Sequence, residues 1–206
     1  MYSLVLLDRS AGAAEESAMS RLLASSLVSV CLLLGPAAAG EIADKAAQAE
    51  ELAAAGDFLP AIALLDEAAE RLWSDSPLVF RRVLWVAEPP LGFGAYSPRE
   101  SNEFGSGDEM IIYAEPVGFG WDKSGDIWRT GIATDLTVKD AGGEVLYKQE
   151  DFQKLEIASR VRNREFMATF TYTFSGIPPG EYSVETTLRD TVTGKSGTLS
   201  LPFVIR

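Results

Sequence analysis

The chain has 206 residues, 47% of them hydrophobic, so it can bury the core of one or two domains and is not a disordered chain. Acidic residues outnumber basic ones by 30 to 18, which argues against a nucleic-acid partner because a phosphate backbone selects for clustered lysine and arginine. The chain contains no histidine, and this excludes Ser-His-Asp and Cys-His catalysis.

The N-terminal segment, residues 1–39, has the features of a signal peptide. An apolar run, Leu22–Gly35, follows Arg21 and precedes small residues that form an A-x-A cleavage site ending at Ala39. The run is shorter than the roughly 20 residues of a membrane-spanning helix, so we expect no stable transmembrane segment after cleavage. We therefore predict a periplasmic or secreted protein.

Two details of this segment bear on its processing. The distance from Met1 to the apolar run is long, and a translation start at Met19 would give a signal peptide of ordinary length. Cys31 lies inside the run, so cleavage would leave the mature protein without a thiol or a disulfide. A buried core helix and an uncleaved anchor are the alternatives to a cleaved signal.

Residues 40–76 are predicted to form a helical hairpin. Alanine and leucine recur there with helical spacing, and Gly56 and Asp57 interrupt the pattern. We predict helices at Ile42–Ala55 and Phe58–Trp73, with Asp57 as the N-terminal cap of the second helix. The second helix carries an apolar stripe whose members, at steps of three and four residues, are Phe58, Ile62, Leu65, Ala69 and Leu72.

A set of small and apolar residues in this hairpin resembles one tetratricopeptide repeat. The matching residues are Ala49, Leu52, Gly56, Asp57, Phe58, Ala61, Ile62, Leu65 and Ala68. Members of that family hold protein partners in a groove built from several stacked repeats, whereas the resemblance covers about one repeat. One hairpin cannot form such a groove, so we expect it to pack against the following domain or to associate with itself.

Residues 77–206 are predicted to form a β domain. In the clearest strand, Glu165–Phe174, the even positions are mostly aromatic and three odd positions are threonine, which indicates one buried face. Six further strands are predicted at Val79–Val86, Met110–Glu115, Gly131–Val138, Glu144–Gln149, 182–188 and 199–205. This pattern favours a mainly β fold: a seven-stranded antiparallel immunoglobulin-like sandwich, preceded by the short helical hairpin and the signal peptide.

The C-terminal 30 residues or so resemble the last hairpin of bacterial immunoglobulin-like domains in exported proteins. The resemblance rests on Pro179-Gly180-Glu181-Tyr182, Leu188-Arg189-Asp190, Gly194-Lys195 and Leu201-Pro202-Phe203. It implies a fold and an adhesive or scaffolding role, and it does not imply a substrate.

Aromatic residues in two glycine-rich loops are candidates for ligand binding. Exposed rings beside carboxylates can stack on a sugar ring and form hydrogen bonds to it. The first loop contributes Trp121, Asp122, Asp126 and Trp128, and a second loop contributes Phe93 and Tyr96 as a possible opposite wall. The alternative is that these rings cover the ends of the sandwich.

The acidic residues of the first loop also raise the question of calcium. Asp122 and Asp126, with Asp108 and Glu109, could supply oxygen ligands, but their spacing does not fit an EF-hand loop. Acidic turns are usually solvated, and we assign neither a metal site nor a cofactor.

Three arginines alternate immediately before the clearest strand. Arg160, Arg162 and Arg164 could together bind a carboxylate or a phosphate. Their parity matches the buried face of the strand, so we expect them in a loop or at the rim. There they would bind an anion or neutralise nearby acids.

No set of residues predicts catalysis. Lys195 and Ser196 lie in a predicted turn, where an activated lysine is not expected, and no carboxylate pair stands out as a glycosidase site. We predict an exported, non-enzymatic protein-binding or scaffolding module of the cell envelope that binds an envelope protein or itself. A carbohydrate-binding module and a carboxylate-based hydrolase are the alternatives.

Overall fold

The structure is a computed structural model that describes residues 40–206. The predicted signal sequence and the Met19 start lie outside the described residues. The two predicted helices are confirmed as α1 (Glu41–Ala54) and α2 (Phe58–Asp75). Asp57 occupies the N-cap position of α2, but its side chain makes no hydrogen bond to the helix.

Gly56 explains why the helical run divides into two helices. Its φ of 89° lies in the left-handed region, which glycine adopts without a steric penalty and which ends α1. Neither helix in residues 40–206 combines the length and the apolar composition that crossing a membrane would require.

The rest of the described chain is mainly β. The strands are β1 (Val79–Val86), β2 (Glu103–Phe104), β3 (Glu109–Val117), β4 (Asp122–Ser124), β5 (Ile127–Asp140), β6 (Val145–Ser159), β7 (Ala168–Thr173), β8 (Gly180–Asp190) and β9 (Ser196–Ile205).

These strands form two sheets. The smaller sheet has the antiparallel order β1-β3-β7, and the larger one has the order β2-β9-β8-β5-β4 with β6 paired to β5. The arrangement does not match the predicted sandwich of seven antiparallel strands, because β2 and β4 are additional short strands and β2 pairs with β9 in parallel. Two or three residues of such a strand are too few to produce an alternation that the sequence pattern could reveal.

The main hydrophobic core lies between the two sheets. Ile112 of β3 and Phe170 of β7 belong to the same buried cluster as Leu136 of β5, Val184 of β8 and Phe203 of β9. The even positions of β7 are buried as predicted, whereas its threonines face outward or lie at intermediate depth. The predicted alternation is therefore confirmed in this strand.

The central strand of the smaller sheet is covered on both faces. Ile111 and Tyr113 of β3 point away from the main core, yet both are buried, because the segment after β1 folds over them. The ring of Tyr96 in that segment packs on Tyr113 in a tilted arrangement with ring centroids 4.3 Å apart, and the backbone N–H of Gly94 donates to the Tyr113 hydroxyl. Burial on both faces explains why β3 is almost continuously apolar.

The hairpin formed by β5 and β6 is longer than predicted. The predicted strand ended at Gln149, whereas β6 continues to Ser159 after an irregularity at Asp151, whose φ is 49°. The break in alternation at this bulge hides the continuation of the strand. Arg189 of β8 stabilises the bulge by donating to both carboxylate oxygens of Asp135 and to one of Asp151.

We expect the contacts among Arg189, Asp135 and Asp151 to make the free energy of unfolding depend on pH in the acidic range. The guanidinium of Arg189 holds the pKa of Asp135 below its ordinary value. The unfolded chain then binds more protons, so the stabilisation is complete above about pH 4 and is lost as the pH falls through the lower, native pKa. Asp135→Asn should lower the midpoint of urea unfolding at pH 7. The gap between the midpoints of wild type and variant should shrink as the pH is lowered towards 2. Asp126→Asn is the control, because it removes an exposed carboxylate and the same formal charge. If its unfolding midpoint depends on pH in the same way, the effect does not come from the contact between Asp135 and Arg189.

Candidate functional site

The α2 stripe, defined as Phe58, Ile62, Leu65, Ala69 and Leu72, leaves its four large side chains exposed, whereas Ala69 is half-buried. The side chains of Phe58, Ile62, Leu65 and Leu72 are 63%, 55%, 50% and 57% exposed. Leu59, beside the stripe, is 82% exposed. A contiguous exposed apolar surface of this kind is typical of a site for another molecule.

The helical hairpin buries other residues in place of the stripe. Ala49 of α1 and both Ala61 and Ala68 of α2 are buried, and their small side chains allow the two helices to approach closely. At the C-terminal end of α2, Trp73 inserts into the main core, where its Nε1 donates to the backbone oxygen of Phe119 at 2.8 Å. The hairpin therefore packs against the β domain without covering the stripe.

Lys195 connects the end of α2 to the β domain. Its ammonium group donates to the backbone oxygens of Ser74 (2.7 Å), Ser76 (2.8 Å) and Gly118 (2.9 Å). A cation is favourable at the carboxyl end of a helix, where carbonyl groups lack helical partners. All three N–H bonds of Lys195 are used in this way, so its role beside Ser196 is structural.

Two of the three arginines that were candidates for anion binding form ion pairs with acidic residues of α2. The loop between β6 and β7 carries Arg162, which is paired with Glu70 at 2.7 Å, and Arg164, which is paired with Asp66 at 2.9 Å. Arg160 lies in the same loop and is exposed. The arginines thus lie in a loop, and two of them neutralise acids of α2; binding of a free anion stays a prediction.

A groove extends the stripe towards the β domain. It has a volume of about 540 Å³, and its lining includes Ala69, Leu72, Arg81, Val117 and Arg164. Two residues of the stripe thus form one wall of this groove. No local sequence pattern marks Arg81 or Val117 as part of a site, because only the fold brings these residues of β1 and β3 to the groove.

The tryptophans of the first glycine-rich loop line a small cavity. It measures about 280 Å³ between α2 and the β domain, and Trp121 and Trp128 share it with Glu70 and Arg162. The ring of Trp128 lies under two cations, with Lys123 Nζ at 5.1 Å and Arg162 Cζ at 5.0 Å from its centroid. Nε1 of Trp121 is buried and has no hydrogen-bond partner within residues 40–206.

The carboxylates of this loop lie outside the cavity. Asp122 is exposed in β4, and Asp126 is exposed in the turn between β4 and β5. Asp108 lies at the opposite end of β3, where it accepts a hydrogen bond from the backbone of Gly105. Within the described part of the chain, no three acidic or cysteine side chains are grouped as a metal site would require.

Phe93 and Tyr96 are not brought together with the two tryptophans. Tyr96 packs on the outer face of the smaller sheet, in the cluster that contains Tyr113. Phe93 lies nearby, with the guanidinium carbon of Arg81 6.0 Å from its ring. By contrast, Trp121 packs against the main core. The spacing of glycine and aromatic residues cannot reveal this separation, because both loops look alike in sequence.

Comparisons with known proteins do not place the chain in a family. No protein-family model matches the sequence, and no curated protein matches it either. Among solved structures, it is similar to the PmoD soluble domain from Methylocystis sp., with 11% identity and a TM-score of 0.29 over 64% of this chain and 98% of that chain. It is also similar to the Pseudomonas fluorescens alkylpurine DNA glycosylase AlkC bound to DNA, with 9% identity and a TM-score of 0.29 over 71% and 38% of the two chains. Scores this low support no inference about function.

Proposed function

We propose that this chain is an exported, non-enzymatic protein-binding module of the cell envelope and that the α2 stripe is its binding surface. The observation that carries the proposal is the exposure of four large apolar side chains on one face of a helix that is otherwise firmly held. Since each is between half and two-thirds exposed, burying it against a partner would contribute about 1–2 kcal/mol, which is part of the value for full burial. Trp73, Lys195 and the two arginine ion pairs hold α2 in place, so little of this energy is lost in ordering the surface.

The two alternative functions have less support. A sugar that stacks on Trp128 would have to displace the cations of Lys123 and Arg162 from the ring. A glycosidase needs two carboxyl groups that face each other across a cleft. Among the described residues that line the tryptophan cavity, Glu70 is the only carboxylate, and it is already paired with Arg162.

We infer that the β domain is a variant of the immunoglobulin-like sandwich. Seven of its strands are six residues or longer, and residues from both sheets share one core. A scaffolding module of this type presents its binding surface on an attached element, and here that element would be the helical hairpin.

The proposal predicts that Ile62→Gln combined with Leu65→Gln lowers capture of a protein partner at least tenfold. Glutamine keeps the helical propensity of these exposed positions, so the unfolding midpoint should hardly change. The measurement is a cross-linked pull-down of tagged full-length protein from the envelope fraction, with partners identified by mass spectrometry. Mapping the mature N-terminus in the same sample should give Gly40.

Leu91→Gln is the matched control, because Leu91 is 95% exposed in a loop of the β domain. The proposal requires that one dominant protein is retained by wild type and by Leu91→Gln and is lost with the stripe variant. Equal capture by all three proteins would reject the stripe as the binding surface. An intact Met1 or Met19 terminus would reject export.

A further inference from the structure

The charge of the helical hairpin constrains what can cover the α2 stripe. Residues 40–76 contain nine acidic residues and two basic ones. A partner that buries the stripe must therefore approach a strongly negative surface, and charge complementarity favours a cationic one.

Five acidic residues of the hairpin form no ion pair with any other described residue, and three of the five lie near the turn between α1 and α2, whereas Glu41 and Asp44 lie at the start of α1. Glu50 and Glu51 in the last turns of α1, and Asp57 in the turn before α2, form no ion pair with any other residue in the described range. Further along α2, Asp66 and Glu70 are neutralised by the arginines of the β6–β7 loop. Glu50, Glu51 and Asp57 thus bring unpaired negative charge to the turn after which the stripe begins, at Phe58.

Two other occupants of the stripe are disfavoured by the same charges. A second copy of the chain would bring two negative hairpins together, on proteins that each carry a net charge of −12. A membrane surface is also a poor match, because interfacial helices that bind anionic lipids carry lysine and arginine on their polar face.

We propose that the occupant is an amphipathic helix of a different protein, with lysine or arginine flanking its apolar face. Its cations lie over Glu50, Glu51 and Asp57, and its apolar side chains pack on the stripe and enter the groove beside Leu72. The stripe extends over about 21 Å, from Phe58 to Leu72, so the partner helix makes contact over about four turns. This inference rests on the proposed function and specifies the class of its partner.

Two synthetic helical peptides with the same apolar face test the inference, one with lysine and one with glutamate on the flanks. Fluorescence anisotropy measures their binding to the full chain at low and at high salt. The lysine peptide should bind at least tenfold tighter than the glutamate peptide, and the difference should shrink as salt screens the charges. Ile62→Gln with Leu65→Gln should abolish binding.

Two double variants that remove the same charge test whether the lysines of the bound peptide lie near Glu50 and Glu51. Glu50→Gln with Glu51→Gln should reduce the preference for the lysine peptide severalfold. Glu144→Gln with Glu181→Gln removes the same charge from exposed sites on the β domain and should leave the preference intact. Equal effects of the two pairs would overturn this placement of the lysines, because they would indicate an effect of net charge alone.

Other outcomes separate the partner class from the proposed function. Equal, stripe-dependent binding of both peptides would keep the stripe as a binding surface and overturn a cationic partner. Stripe-dependent dimers in sedimentation without peptide binding would identify a second copy instead, and stripe-dependent capture by vesicles of anionic phospholipid would identify a membrane surface. If a monomer binds neither peptide nor vesicle, the inference fails. The proposed function fails with it only if the pull-down also shows no stripe-dependent capture.

Discussion

Replacing Gly118 with alanine should destabilise the protein by about 3 kcal/mol or more, the largest effect expected from a change of one methyl group. Gly118 has a φ of 88°, and a Cβ at this position would collide with the backbone oxygen of Pro77. That oxygen belongs to the link between α2 and β1, which cannot move without disturbing both elements. Gly118 also accepts a hydrogen bond from Lys195, so its displacement weakens the anchor of α2 as well.

Gly107→Ala separates the collision from backbone strain. Gly107 has nearly the same φ, 87°, but a Cβ there would meet nothing within 4 Å. Alanine at Gly107 should therefore cost only the left-handed penalty of about 1–2 kcal/mol. Urea unfolding followed by circular dichroism measures both variants. Equal decreases in the free energy of unfolding would show that the close approach of Pro77 to Gly118 does not contribute to the cost of alanine.

Replacing Asp190 with alanine should cost about 3 kcal/mol, because it removes an acceptor that serves three donors in a buried position. Asp190 is 2% exposed at the end of β8. One of its carboxylate oxygens accepts hydrogen bonds from the backbone N–H of Gly120 at 2.7 Å and from the Thr193 hydroxyl. The other accepts from the backbone N–H of Val192 at 2.9 Å. Alanine would leave these donors without a partner and would loosen the turn that carries Lys195.

Asp140→Ala is the comparison for Asp190. Asp140 also precedes a hairpin turn, and its carboxylate accepts from the backbone N–H of Glu144 at 2.8 Å, but this turn is exposed to water. Its loss should cost about 0.5–1 kcal/mol, because water can replace the carboxylate. Thermal or urea unfolding measures both variants. Similar decreases in the free energy of unfolding would mean that the burial of Asp190 does not increase the cost of losing its carboxylate.

Local pattern was sufficient for much of the fold. Helical spacing of apolar residues predicted both helices within two residues at each end, and Gly56 marked the break between them. Two-residue alternation predicted β7 and the burial of Phe170 and Tyr172, because a strand with one buried face must alternate. Such features depend on neighbours in the chain, so a single sequence contains them.

The sequence by itself determined the helices, the positions of the seven longer strands although not the full length of β6, and the existence of an apolar stripe on α2. Only the tertiary structure decided that the stripe faces outward, because a helix with an apolar face can bury it against its own domain or leave it for a partner, and periodicity is the same in both cases. The tertiary structure also separated Tyr96 from Trp121 and placed Arg162 and Arg164 beside acids nearly a hundred positions earlier in the chain. These relations come from contacts distant in sequence, and no local pattern of residues records them.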